Sequence, residues 1–238
     1  MKKTASQARA ALRRLASPAR AKVSQGFFKT GKGEYGEGDV FIGVTVPQIR
    51  ALARGYLDLE LGETLKLLRQ GKHEERLFAV LLLVGQYQRA KKDPARRQAI
   101  FNAYLKNRAH VDNWDLVDGS CPYILGVHLE DKDRGILYKL AKSRRLWDRR
   151  LAMVSTQHFI RQRESRDALK IAALFLKDDE DLMHKASGWM LREVGRHCGL
   201  VPLRGFLKAH AHHMPRTMLR YAIEHLSEAE RKSWMARA

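Results

Sequence analysis

The sequence predicts an all-α protein built from stacked helical hairpins, and three observations carry that prediction. Apolar residues recur at three- and four-residue spacing in almost every segment, as in "ERLFAVLLLVGQY" (75–87), "RLAMVSTQHFI" (150–160) and "LMHKASGWMLREV" (182–194). Strand-like alternation is hard to find. A faint repeat also brings basic residues into register along the chain.

In chain order, the opening "MKKTASQARAALRRLASPARAK" is rich in Arg, free of acids and without the apolar stretch of a secretory signal. Its composition also suits a transit peptide, but its apolar spacing reads as a first helix ending before Pro18. "GKGEYGEGD" (31–39) formally contains G-x-G-x-x-G at Gly31, Gly33 and Gly36. No strand precedes it, and Glu34, Glu37 and Asp39 stand where a pyrophosphate site wants neutral backbone donors. A flexible loop between helices is the expectation there. Pro47 and Gly71 bound the next elements, and "FAVLLLV" (78–84) is far shorter than a membrane span. Further breaks fall at Asp93-Pro94, Asp112-Asn113, Lys132-Asp133, Ser143, Ser165, "DDED" (178–181), Gly199 and Pro215, giving roughly ten to twelve helices with short connections.

Aligning "RRLA" (149–152), "HKAS" (184–187) and "LRYA" (219–222) places Arg150, Lys185 and Arg220 in register, 35 residues apart twice over. One more step back lands on Asp115, and Arg76 stands 39 residues before that. Such a period is the mark of a helical solenoid of HEAT-like type. Residues 1–238 are accordingly read as a single domain with a concave basic face, on which Arg150, Lys185, Arg220 and the neighbouring Arg149 form a track that fits a phosphate backbone.

Charge points the same way. Lys and Arg total 45 against 26 Asp and Glu, a formal net charge of +19 spread through segments with a periodic apolar pattern. A folded basic surface implies a polyanionic partner, with nucleic acid first and acidic lipid or acidic protein behind it. Two cysteines, Cys121 and Cys198, allow one pair at most and argue for a reducing compartment. The protein is expected to be cytoplasmic, soluble and monomeric, with no membrane association. His210, His212 and His213 lack an acidic or Cys partner at ligand spacing, so no metal and no cofactor are expected.

"NWDLVDGSCP" (113–122) stands apart from this background. Asp112 or Asn113 suits an N-cap, which puts Asp115 in the first helical turn, where the macrodipole favours a carboxylate. Asp118 lies four residues after Trp114, so ring and carboxylate share a face. Capping does not account for Asp118; either a salt bridge to a nearby Arg or chemistry does. Trp189 lies four residues after Lys185, with Gly188 leaving room beside it, and either lines the basic face or belongs to the core. Trp147 reads as packing. Two indole rings and a carboxylate beside cations suit a cationic substrate, because indole faces attract cations and a carboxylate stabilises positive charge developing on a sugar.

"NWDLVD" (113–118), "LWDRRLAM" (146–153) and "KASGWMLRE" (185–193), with the upstream "VFIGVTVPQIRALA" (40–53), resemble the AlkD family of DNA alkylation repair glycosylases, built from HEAT-like repeats. The likeness runs in the same order over nearly the whole chain. It implies release of N3- and N7-alkylated purines from double-stranded DNA without a metal and without flipping the base, in contrast to most glycosylases. It also implies that Trp114 and Trp189 flank the lesion, that Asp118 is the catalytic carboxylate and that Arg150 contacts DNA nearby. The product is an abasic site, with water as the final nucleophile. No residue upstream of Trp114 is carried over from the family. Two other readings use the same surface: a non-catalytic binder of branched or damaged DNA, and a HEAT-type scaffold for an acidic protein.

Overall fold

A computed structural model describes residues 2–236, with the side chain of Gln70 outside the description. The described residues contain helices and turns and no strand. They pack as two compact units, one ending at Ser120 and the other beginning at Cys121.

The first unit contains α1 (Ala5–Arg13), α2 (Pro18–Phe27), α3 (Val46–Arg54), α4 (Leu61–Gln70), α5 (His73–Arg89), α6 (Pro94–Lys106) and α7 (Trp114–Asp118). The apolar run 78–84 forms the middle of α5, which is buried nearly all round. A helix without a polar face is a core helix, and α3, α4, α6 and α7 all pack against this one. By contrast α2 buries none of its residues. Its start is fixed through Gly43, whose φ of +78° suits glycine and whose absent Cβ would lie 2.1 Å from the Ser17 carbonyl oxygen.

The second unit contains α8 (Gly135–Ala141), α9 (Leu146–Ser155), α10 (Gln157–Arg161), α11 (Arg166–Leu174), α12 (Asp181–His197), α13 (Leu200–His210), α14 (Arg216–Ala222) and α15 (Glu228–Met235), preceded by a π-helical turn at Pro122–Gly126. Here α12 is central and packs against α9, α10, α11, α13 and α14. The register positions Arg150, Lys185 and Arg220 fall on α9, α12 and α14, so the repeat maps onto helices that stack in sequence. Gly188 on α12 permits a close approach: a Cβ there would lie 2.5 Å from the Met218 carbonyl oxygen and from Tyr221 Cβ on α14. The room it leaves is taken by α14.

Breaks at Pro18, Gly71, Pro94, Asn113, Ser165, Gly199 and Pro215 all coincide with helix boundaries. The chain is nevertheless cut more finely than ten to twelve helices. Residues 150–160 form two helices, because Ser155 Oγ and Thr156 Oγ1 donate back to the carbonyls of Leu151 and Met153 and loosen the ladder there. Trp147 is buried, as its packing role requires.

Candidate functional site

In the first unit the site is organised by α7, a helix of five residues. So short a helix does not hold itself in water, so its orientation is set by what it touches. Asn113 caps it, with its side-chain oxygen accepting from the Trp114 amide at 2.8 Å. At the other end the Ser120 hydroxyl pairs with Tyr104 Oη at 2.6 Å. Trp114 and Asp118 are both half-buried.

Asp115, explained in the sequence by the helix dipole alone, does more. Its Oδ1 accepts from the Leu116 amide, and its Oδ2 lies 2.9 Å from His73 Nε2, at the start of α5. The other imidazole nitrogen, Nδ1, lies 2.7 Å from Asp39 Oδ2. Arg76 completes the cluster, at 2.8 Å from Asp39 and 3.2 Å from Asp112. Burial works against a charged His73, but hydrogen bonds and attraction from Asp115 and Asp39 outweigh it and lift its pKa to about 9. Burial likewise disfavours the Asp39 carboxylate, yet His73 and Arg76 hold its pKa below the ordinary value.

A cluster of rings lies alongside, in which Phe28 also meets His73 at 4.9 Å. Phe41 stacks on His73 at 4.1 Å, Phe28 stacks on Phe41 at 4.8 Å, and Trp114 stacks on Phe28 at 5.2 Å. Phe27, 65% exposed, meets Trp114 edge-on at 6.0 Å.

The first turn of α5, "HEER", is thus the hub of this unit. Glu74 accepts the amides of Ile42, Gly43 and Val44, and Glu75 pairs with Arg9 and Arg13 of α1. The Gly-rich stretch 31–39, expected to be a flexible loop, ends in Asp39, which is one of the residues holding His73. Sequence reasoning passed over His73 and Phe28, and gave Asp39 and Arg76 no part in this site. The available signal was a run of four ionisable residues opening an otherwise apolar helix.

In the second unit the predicted residues lie on neighbouring helices. Trp189 and Lys185 are on α12 and half-buried. Lys185 Nζ lies 2.7 Å from Asp181, whose pKa is lowered chiefly by that hydrogen bond. Arg150 is 5% exposed and donates to the Leu182 carbonyl at 2.8 Å, tying α9 to α12. Arg149 pairs with Asp178 at 2.7 Å and donates to the Arg144 carbonyl at 2.9 Å. Arg220 is exposed on α14. Among the described residues no group of three or more His, Cys, Asp or Glu is placed to hold a metal ion, and His212 and His213 lie ring against ring at 3.9 Å. No helix among them is long and apolar enough to cross a membrane.

Comparison with known proteins adds two findings. The family described as DNA alkylation repair enzyme matches residues 8–226. A solved structure described as a predicted DNA alkylation repair enzyme from Enterococcus faecalis superposes with a TM-score of 0.67 at 16% identity, over 90% of this chain and 97% of that one. At that identity the likeness speaks for the fold. No curated protein matches the sequence.

Proposed function

Because the chain belongs to the DNA alkylation repair enzyme family, we propose that it is a monofunctional DNA N-glycosylase that hydrolyses the N-glycosidic bond of cationic N3- or N7-alkylated purines in double-stranded DNA. The observation that carries this reading is that Trp114 and Asp118 stand on one short helix, capped by Asn113 and followed by the Ser120–Tyr104 hydrogen bond. Treating residues 1–238 as one working domain is supported by a family match that runs through both units.

The chemistry follows from charge. Alkylation at N3 or N7 leaves the purine positively charged, and as the bond from C1′ to the base nitrogen breaks, its electron pair moves to the base and the charge moves to the deoxyribose. A carboxylate at Asp118 stabilises the oxocarbenium-like sugar and orients the water that adds at C1′. The base leaves neutral, and the water that adds at C1′ releases its proton to solvent, leaving an abasic site. Trp114 and Trp189 each offer an indole face that attracts a cationic nucleotide, and the base need not be flipped into a pocket. Lys185 and Arg220 grip phosphates, with Arg150 and Arg149 beside them on α9, and the protein acts as a monomer without metal or cofactor.

The test is single-turnover release of 7-methylguanine and 3-methyladenine from alkylated duplex DNA by the parent and by Asp118→Asn. Losing this one carboxylate is expected to slow release about a hundredfold with duplex affinity retained. Equal rates would remove Asp118 from the chemistry. Tight duplex binding with no release by the parent would leave a non-catalytic binder of damaged DNA.

A further inference from the structure

Both ring nitrogens of His73 face carboxylate oxygens, Nδ1 at 2.7 Å from Asp39 and Nε2 at 2.9 Å from Asp115. An ionised carboxylate only accepts hydrogen bonds, so each nitrogen must carry a hydrogen, and the ring is an imidazolium. Its side chain is only 2% exposed, so water does not compete for these bonds. The carboxylates come from opposite sides of the chain: Asp39 ends the Gly-rich stretch, and Asp115 lies in the first turn of α7. The ring face carries the third link, through Phe41 and Phe28 to Trp114. Trp114 is thereby referenced to His73 twice, through the backbone next to Asp115 and through its own indole.

On the reading of Trp114 and Asp118 given above, we propose that His73 is the positioning residue of the site: as an imidazolium bridging Asp39 and Asp115 it sets the orientation of α7, and with it the Trp114 ring and the Asp118 carboxylate. A neutral imidazole donates through one nitrogen only. Deprotonation therefore leaves one of the two carboxylates facing a lone pair, and one tie between α5 and its neighbours is lost.

The other charged groups around His73 do not substitute for it. Arg76, on the same turn of α5, is committed to Asp39 and Asp112. Glu74 is turned to the amides of 42–44, and Lys72, which precedes α5, is exposed. The rings against His73, Phe41 stacked on it and Phe28 tilted to it, do not titrate. The alkaline pH response of the site is therefore that of His73.

The experiment follows two signals from about pH 7 to about pH 10, in the parent and in His73→Gln. One is the indole ¹H–¹⁵N resonance of Trp114, assigned by its loss in Trp114→Phe. The other is single-turnover release from one alkylated duplex, so that titration of the base itself cancels in the comparison. In the parent both signals are expected to change together, with a midpoint near the alkaline pKa of His73. In His73→Gln the indole signal is expected not to titrate, and release at saturating protein is expected to be about tenfold or more slower and free of the alkaline limb, with half-saturation little changed. Asp115→Asn serves if His73→Gln does not fold, and should move the midpoint at least about one pH unit lower. A Trp114 resonance that is flat in the parent, or that titrates alike in parent and variants, overturns the proposal. So does release without an alkaline limb. Titration of Trp114 in a parent that releases no base would leave the positioning role standing and overturn the glycosylase reading instead.

Discussion

Phe28 and Trp114 lie face to face, with ring centroids 5.2 Å apart and planes 15° from parallel. One face of the indole is thus occupied by the protein before any ligand arrives. Such a pair contributes about 0.5–1.5 kcal/mol beyond burial. Phe28→Leu is expected to slow base release about two- to tenfold with a small loss of melting temperature. Unchanged release would show that Trp114 keeps its pose without the stack.

Stability of the first unit should depend on pH on both sides of neutrality. His73 has an ordinary pKa of 6.5 and is raised to about 9 in the fold. Between those values the folded chain holds a proton that the unfolded chain has lost, so stability falls as pH rises. The contribution is complete below pH 6.5 and is lost as pH rises through about 9. A shift of this size corresponds to on the order of 3 kcal/mol. Asp39 has the opposite sign: its contribution is present above 3.8 and is lost as pH falls through its lowered folded pKa. Urea midpoints should therefore be highest between 3.8 and 6.5 on account of these two groups. His73→Gln should flatten the alkaline side, and an identical alkaline decline in that variant would assign the effect elsewhere.

The elements visible in the sequence are those whose cause is local. Proline and glycine breaks, the Asn113 cap and the 35-residue register on α9, α12 and α14 depend on neighbours within a turn or on a repeated apolar pattern. What stayed hidden depends on long-range pairing. Asp39, His73 and Asp115 are 34 and 42 residues apart along the chain in their two contacts, and no spacing rule connects them. Phe28 follows an exposed helix with no buried residue, so nothing near it marks a ring that stacks on Trp114. One contact of the buried Arg150 was hidden for a related reason: it is made to a backbone carbonyl, that of Leu182, which carries no side-chain signature.

Gly188 offers a test of the packing between α12 and α14. A methyl group there meets the Met218 carbonyl oxygen and Tyr221 Cβ, both at 2.5 Å, and neither belongs to the far end of a flexible side chain. Gly188→Ala is expected to destabilise the protein by about 1–3 kcal/mol, measured as a shift in the urea midpoint. Unchanged stability would mean that the two helices separate without cost.

Arg150 and Arg220 share a register but not an environment, and their alanine variants should separate folding from DNA contact. The Arg150 guanidinium is buried and donates to the Leu182 carbonyl, so removing it loses a buried charged hydrogen bond and is expected to cost about 1–3 kcal/mol of stability along with duplex affinity. Arg220 is exposed, so Arg220→Ala should leave the urea midpoint unchanged. If it neutralises one phosphate, its loss should make the plot of log affinity against log salt shallower by about 0.9, and to the same extent on undamaged and alkylated duplexes, because a phosphate contact reads no base. A slope equal to that of the parent would remove Arg220 from the phosphate track. A loss confined to alkylated DNA would place it at the lesion instead.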